Sequence, residues 1–135
     1  MKVSTAIHPI GWKQPVGYAH AMSTPAGRVI VTAGQLGWNP VTCEFENDDF
    51  VAQAAQALRN TVAVLAAADA TPAHLVRLTW FITDRDDYLN ARREIGAAYR
   101  EIIGRHFPAM SVVVVRALLE KRAKVEIEAT AMVPA

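Results

Sequence analysis

Two carboxylates near the end of the chain are the residues best placed to do chemistry. Glu126 and Glu128 alternate with apolar residues, so both carboxylates lie on one face of a predicted strand. If that face enters an interface, a carboxylate there can hold a water molecule or move a proton. If the face is a solvated edge, or the carboxylates pair with Arg77 or Lys124, they have no catalytic role, and the residues alone leave both alternatives open.

A second group of side chains could bind a small ligand. Arg92 shares the apolar face of a predicted helix, where it either contacts an anion or covers that face with its aliphatic stem. Tyr18 and Trp38 either stack on a planar ligand or fill the core, and a binding role is more credible for Trp38, which lies in a loop. Gly34 and Gln35 end a predicted strand, where their backbone N–H groups can be offered to a ligand.

Motifs for several enzyme classes are missing from the sequence. None of the four histidines stands at metal-ligand spacing with another histidine, a cysteine or a carboxylate, so no metal site is predicted. There is no nucleophile elbow, Walker loop, dinucleotide-binding glycine pattern or Cys-x-x-Cys motif. These absences argue against zinc hydrolases, nucleotidases, dehydrogenases and thiol redox enzymes.

Length and composition predict one globular domain over residues 1–135. Apolar residues make up 52% of the chain and charged residues 20%, which excludes intrinsic disorder. The net charge of +1 and the lack of a basic stripe argue against a nucleic-acid partner. Because the chain has a single cysteine, no signal-peptide pattern and no membrane-length apolar run, we expect a soluble, cytoplasmic protein without a membrane partner.

Five strands and two helices are predicted to position these residues. The strands cover residues 18–23, 28–33, 75–82, 110–115 and 124–133. The first helix is capped by Asn47 or Asp48 and carries apolar residues at helical spacing over residues 50–65. The second helix is capped within residues 84–87 and ends at Gly104. The first two strands are predicted to form a hairpin, and residues 1–15 and 34–47 to be irregular.

This element order, β-β-α-β-α-β-β, predicts an α+β fold with two helices on one face of a mixed sheet. The other face is left uncovered, although the strand at residues 110–115 is apolar enough to be buried on both faces. An apolar sheet face needs a partner, which favours an obligate homo-oligomer with that face inside. The alternative is a monomer with a third layer built from loops.

Several short segments, spread in order over nearly the whole chain, together resemble the RidA/YjgF family of small enamine/imine deaminases. They are Pro15-Val16-Gly17-Tyr18, Val31-Thr32-Ala33-Gly34-Gln35-Leu36, Asn39-Pro40, Gln53-Ala54, Leu58-Arg59-Asn60, Phe107-Pro108-Ala109 and Val125-Glu126-Ile127-Glu128-Ala129. The resemblance implies a chorismate-mutase-like fold and a homotrimer with ligand clefts between subunits. It also implies hydrolysis of reactive enamines or imines without a cofactor or a metal.

The resemblance assigns roles to particular residues. It places Glu126 at the family's glutamate, which positions the attacking water, and Tyr18 at a tyrosine that lines the cleft. Gly34 and Gln35 fall on the family's cleft loop. The family's arginine, which grips the substrate carboxylate in a Phe-Pro-Ala-Arg-Ser motif, is Met110 in this chain.

Met110 therefore predicts a subgroup that lacks the usual carboxylate anchor. The lost hydrogen bonds contribute roughly 1.5–3 kcal/mol each, a tenfold to more than hundredfold loss of affinity. Arg92 is the predicted substitute, because Arg116 lies six residues along the strand, about 20 Å away. Met110, Val112 (where the family usually has cysteine) and Trp38 suggest a more apolar cleft, suited to a larger or uncharged ligand.

The sequence thus predicts hydrolytic deamination, or related imine, enamine or carbonyl chemistry, on a small metabolite. Glu126 is the predicted general acid/base, and Tyr18 and Gln35 orient the substrate. The alternative is a non-catalytic module that binds or senses a small metabolite. Met110 favours the binding module and Glu126 favours the enzyme. A third possibility, RNA binding or cleavage, has been attached to some relatives, but the even charge balance counts against it.

Overall fold

The last strand, β7 (Val125–Pro134), organises the sheet because its side chains alternate in character. The computed structural model describes residues 4–135 and confirms the α+β fold with a mixed sheet. The strands are β1 Thr5–Ile7, β2 Ala21–Ser23, β3 Gly27–Val31, β4 Gln35–Leu36, β5 Leu75–Ile82, β6 Ala109–Val114 and β7. Their order in the main sheet is β3-β7-β5-β6, with β4 also beside β7; β5 and β6 are parallel and the other pairs antiparallel.

Alternation along β7 separates a covered face of the sheet from an open one. On the covered face, the residues of β7 are almost fully buried: Val125, Ile127, Ala129 and Ala131. Leu78, Trp80 and Ile82 of β5 lie opposite this series and are buried with it. Glu126, Glu128 and Thr130 point to the other face, as the alternation predicts.

The helices lie against the covered face. They are α1 Phe50–Ala67, α2 Arg85–Leu89 and α3 Arg92–Ile102. The N-cap of α1 is Asp49, whose side chain accepts from the N–H of Ala52, so the predicted cap at Asn47 or Asp48 is one or two residues early. The predicted second helix is interrupted at Asn90, a residue that competes for backbone hydrogen bonds, and continues as α3.

The predicted hairpin between the first two strands is wrong. Residues 21–23 pair with β1, in the stretch that was predicted to be irregular and that begins outside the described residues. The β-branched strand β3 pairs instead with β7 over five residues, which gives Ile30 a partner in buried Ala131. β3 therefore pairs with the longer strand β7, which is distant in the sequence, and not with the strand that immediately precedes it.

The open face and the edge of the sheet expose apolar side chains. Val29 is 55% exposed, Val31 73% and Val113 40%. The prediction that residues 110–115 are buried on both faces is wrong for the single chain, because β6 is an edge strand with Ser111 and Val114 exposed. Within residues 4–135, no helix is both long enough and apolar enough to cross a membrane.

A buried amide holds the turns around α1 and β7 together. Gln53 is fully buried; its Nε2 donates to the carbonyls of Asn47 (3.1 Å) and Arg122 (2.9 Å), and its Oε1 accepts from the N–H of Lys124 (2.8 Å). A buried backbone group without a partner costs about 1–3 kcal/mol. This side chain therefore stabilises two irregular segments that cannot satisfy their own hydrogen bonds.

Replacing Gln53 with Leu is expected to lower the free energy of unfolding by about 2–3 kcal/mol, because three partly buried backbone groups lose their partner. Urea denaturation measures this loss. Gln56→Leu on the same helix is the matched control, because within residues 4–135 the Gln56 amide bonds only the side chains of Asn60 and Arg59. Equal losses in the two variants would contradict the anchoring role.

Candidate functional site

Glu126 is the second residue of β7 and is flanked on both sides by neighbouring strands. Leu36 of β4 lies opposite it on one side and Phe81 of β5 on the other. Its side chain is half-buried, whereas Glu128 is exposed. Among residues 4–135, neither carboxylate forms an ion pair with Arg77 or Lys124, so that alternative is wrong. The Glu126 carboxylate keeps its lone pairs available for a water molecule or a ligand.

Gly34 packs directly against this carboxylate. A Cβ atom on Gly34 would overlap the Glu126 Oε1 and lie 2.6 Å from its Cδ. Gly34 does not have a positive φ, so its need for glycine comes from this contact and not from its backbone conformation. The two residues that the sequence placed at one site are therefore in direct contact.

A one-residue bulge brings Gly34 to this position. Val31 lies opposite Thr130 and Gln35 opposite Ile127, so four steps on one strand match three steps on β7. The buried Thr32 closes the bulge: its N–H donates to the Ala129 carbonyl (2.9 Å), and its Oγ1 accepts from the Ala129 N–H (3.0 Å). Within the stretch predicted to be irregular, residues 34–47, Gln35–Leu36 form the short strand β4.

The side chain of Gln35 is turned away from Glu126. Its register partner Ile127 lies on the covered face, and its Nε2 donates to the Ala33 carbonyl at 3.2 Å. Any contact between Gln35 and a ligand at Glu126 would therefore go through its backbone or need a different rotamer.

Trp38 follows β4 in a loop that α1 holds in place. Asn60 Nδ2 donates to the carbonyls of Leu36 (3.0 Å) and Trp38 (2.9 Å). The Trp38 ring is half-buried and lies 5.6 Å from the ring of Phe45. Arg122 in turn covers Phe45, with its guanidinium carbon 5.8 Å from the ring centre.

Tyr18 lies at the far edge of the sheet, beside β6. The next residue, Ala19, donates from its N–H to the Pro108 carbonyl at 3.0 Å and pairs with Ala109. This pairing places Tyr18 beside the N-terminal end of β6. The side chains of Met110 and Val112 are half-buried and pack against the core, on the covered face with Leu78 and Trp80.

Tyr18 and Glu126 are far apart within one chain. Three strand spacings separate β7 from the Ala19 segment, roughly 14 Å in all, and Ala109 lies four residues, roughly 13 Å, from the position level with Glu126. Their backbones are therefore roughly 20 Å apart. One chain does not bring these two predicted site residues to the same small ligand.

Two cavities of about 410 Å³ each meet at Tyr18. One lies beside Trp12 and His20; the other is lined by His8, Gln14, Arg105 and His106, among others. Sequence analysis missed these lining residues, since they match no motif and the second cavity joins two distant segments, residues 4–22 and 105–107. Glu126, Gln35, Trp38 and Arg92 line neither cavity.

Arg92, the predicted anion contact, is the first residue of α3 and is exposed. It lies near enough to Tyr88 for its charge to lower the pKa of that hydroxyl, although burial raises the pKa more. Among residues 4–135, no group of three or more histidine, cysteine, aspartate or glutamate side chains is arranged to hold a metal ion.

Known proteins resemble this chain over most of its length. The profile of a protein family described as Endoribonuclease L-PSP matches residues 12–133. Protein DfrA of Myxococcus xanthus is 37% identical over 132 residues, covering 94% of each chain. The 2-iminobutanoate/2-iminopropanoate deaminase of Escherichia coli (strain K12) is 38% identical over 109 residues, covering 78% of this chain and 80% of its own.

Solved structures show the same fold. The Rid-family protein YyfB from Yersinia pestis, whose function is described as unknown, superposes with a TM-score of 0.87 at 32% identity, covering 98% of this chain and 100% of its own. The YjgF gene product of Escherichia coli gives a TM-score of 0.66 at 35% identity, covering 94% of this chain and 92% of its own.

Gly34→Ala is expected to lower the free energy of unfolding by about 1–3 kcal/mol, because the added methyl group collides with the Glu126 side chain. Most of this cost should disappear in a Glu126→Ala background, where the methyl group has room. A double-mutant cycle by chemical denaturation measures the coupling. Gly96→Ala in α3, which meets only the flexible Arg100 side chain, is the control and should be neutral or stabilising. An undiminished cost in the Glu126→Ala background would refute the contact.

Proposed function

The chain belongs to the RidA/YjgF family, and from this premise we propose that it hydrolyses the reactive imine or enamine of a small metabolite, releasing ammonia. The proposal is supported by relatives named 2-iminobutanoate/2-iminopropanoate deaminase. It is also supported by Glu126, Gly34 and Tyr18, which the sequence resemblance assigns to the family's site. The observation that carries it is the half-buried Glu126 carboxylate, held against Gly34 with no ion pair to neutralise it among residues 4–135.

In the proposed reaction, Glu126 acts first as a base and then as an acid. It accepts a proton from water as the water oxygen adds to the carbon of the protonated C=N bond, which forms a neutral carbinolamine. It then gives that proton to the nitrogen, and it takes up the hydroxyl proton as the C–N bond breaks, ammonia leaves and the C=O bond forms. The ammonia carries the last proton away as ammonium, which restores the carboxylate. The backbone N–H groups of the Gly34-Gln35 segment are proposed to orient the substrate.

We further propose that the active form is a homotrimer with a cleft at each subunit interface. The exposed valines of the open face give the reason for association, because such apolar surface is stabilised by burial. The separation of roughly 20 Å between Tyr18 and Glu126 gives a second reason, since only a second copy can bring both to one small ligand.

A non-catalytic module that binds a small metabolite is the alternative. Met110 at the position of the family's arginine favours it, because the residue that usually binds the substrate carboxylate is missing. Family members without that arginine are proposed to bind other ligands than those that have it. Arg92 remains a predicted substitute, which could reach a ligand only from outside the two cavities at Tyr18.

Glu126→Gln is expected to reduce ammonia release from freshly generated 2-aminoacrylate-type imines by about 10²–10⁴-fold, because the amide cannot accept a proton from water. Ligand affinity should be retained. Glu128→Gln is the matched control: the same change on the same strand and face, at an exposed position. Full activity in Glu126→Gln would refute the assigned role, and a wild-type protein that binds ligand but releases no ammonia would favour the binding module.

The trimer proposal predicts a sedimentation mass of three chains of 14.7 kDa each, or about 44 kDa. A Val31→Asp/Val113→Asp double variant should dissociate, because it places charges on the open face. Val41→Asp/Val64→Asp, which changes exposed valines in a loop and on α1, is the control and should remain trimeric. A wild-type mass of one chain by analytical ultracentrifugation would contradict the proposal.

A further inference from the structure

The cavity that lies between Tyr18 and Arg105 contains one permanent positive charge, the Arg105 guanidinium, and no carboxylate. Arg105 and two histidines, His8 and His106, contribute to its wall, and no aspartate or glutamate does. Arg105 forms no ion pair or hydrogen bond among residues 4–135 and is exposed. An unpaired guanidinium in a concave site attracts an anion and raises its local concentration.

The segment that carries Arg105 is held rigidly. Gly104, with a φ of +97°, turns the chain away from the end of α3. The Tyr99 hydroxyl donates a hydrogen bond to the His106 carbonyl at 2.7 Å. Burial raises the pKa of Tyr99, which keeps this hydroxyl a donor. The Tyr99 ring also stacks on Phe107, with ring centres 5.3 Å apart and planes at 14°.

His106 is fixed on the other side of its ring. Its Nε2 lies 2.7 Å from the Leu75 carbonyl, and since a carbonyl only accepts, Nε2 carries the hydrogen. The backbone on either side of the Arg105 side chain is therefore tied to the sheet and to α3. A ligand at Arg105 would meet a largely prearranged site, which lowers the ordering cost of binding.

His8, which also lines this cavity, has an unused polar atom. Nδ1 of His8 is buried without a hydrogen-bond partner among residues 4–135. The His8 ring packs edge-on against the His20 ring, with ring centres 5.6 Å apart. The Tyr18 ring also packs edge-on against the His20 ring, with ring centres 5.4 Å apart. A buried polar atom in a cavity wall is stabilised when a ligand supplies its partner.

We propose that this cavity binds a small monoanionic carboxylate, with Arg105 as the anchor in place of the missing arginine at position 110. A single guanidinium matches one carboxylate, which it binds with two parallel hydrogen bonds. The volume of about 410 Å³ suits a short-chain organic acid, whose apolar part would lie against Pro15, Ala19 and Met22. The inference rests on the proposed function, and it differs from the sequence-based prediction for Arg92.

The test is binding of 2-oxobutanoate to the purified full chain, followed by calorimetry, with 2-oxobutanamide as the uncharged counterpart. Arg105→Ala should weaken 2-oxobutanoate binding at least tenfold and leave 2-oxobutanamide binding unchanged. The affinity of Arg105→Lys for 2-oxobutanoate should lie between those of the wild type and Arg105→Ala, because a lysine keeps the charge but not the paired hydrogen bonds. Arg93→Ala, at an exposed arginine of α3, is the control and should bind as the wild type does.

Several outcomes would overturn the inference. They are unchanged affinity in Arg105→Ala, an equal loss for the uncharged amide, tighter binding of inorganic phosphate than of 2-oxobutanoate, and a loss confined to Arg92→Ala. Thermal unfolding checks that each variant is folded, and Arg105→Gln provides a second removal of the charge.

If affinity falls in Arg105→Ala but the wild type releases no ammonia, the proposed hydrolysis fails and the carboxylate site stands. If Glu126→Gln loses activity while Arg105→Ala binds normally, the hydrolysis stands and the carboxylate site fails.

Discussion

The central position of β7 is the constraint on which the rest of the structure depends. Because β3, β4 and β5 all pair with it, one alternating sequence decides which face of the sheet is covered and which is open. Its apolar residues complete the core beneath α1, and the same alternation sends Glu126 to the open face. The position of the carboxylate is therefore a consequence of core packing, and shifting the register by one residue would bury it.

Buried amides connect this sheet to the loops that surround Glu126. Gln53 and Asn60 lie on one face of α1. Gln53 bonds backbone groups of two irregular segments, and Asn60 bonds carbonyls of the short strand β4 and of the loop that follows it. The contact between Gly37 and the Gln53 backbone belongs to the same arrangement, since it leaves no room for a side chain. The helix thus supports the sheet and also sets the path of the chain from the bulge to Trp38.

The sequence was sufficient where periodicity decides the structure. The alternation of β7, the apolar face of α1 and the bounds of β5 were predicted, since each depends on local pattern. The pairing partners of the strands were not predicted. The hairpin prediction assumed that strands adjacent in the sequence pair, whereas β3 pairs with β7, about 100 residues further along the chain. The bulge that places Gly34 against Glu126 could not be predicted either. It results from a difference in residue count between two paired strands, and no particular residue type marks it in the sequence.

The distance between the two ends of the candidate site bears on how an altered family member could keep its chemistry. Glu126 lies in the middle of the sheet, and its surroundings (Gly34, the bulge and the ladder to β5) do not involve the residues near position 110. The proposed grip on a ligand's charge lies at the β6 edge, so a change there would leave the surroundings of the carboxylate undisturbed. An anchor moved from the strand at Met110 to the preceding turn at Arg105 keeps the charge beside Tyr18 while giving Met110 to the core. Such a move shifts the charge relative to the water site, so it selects ligands by the spacing between their charged group and their reactive carbon.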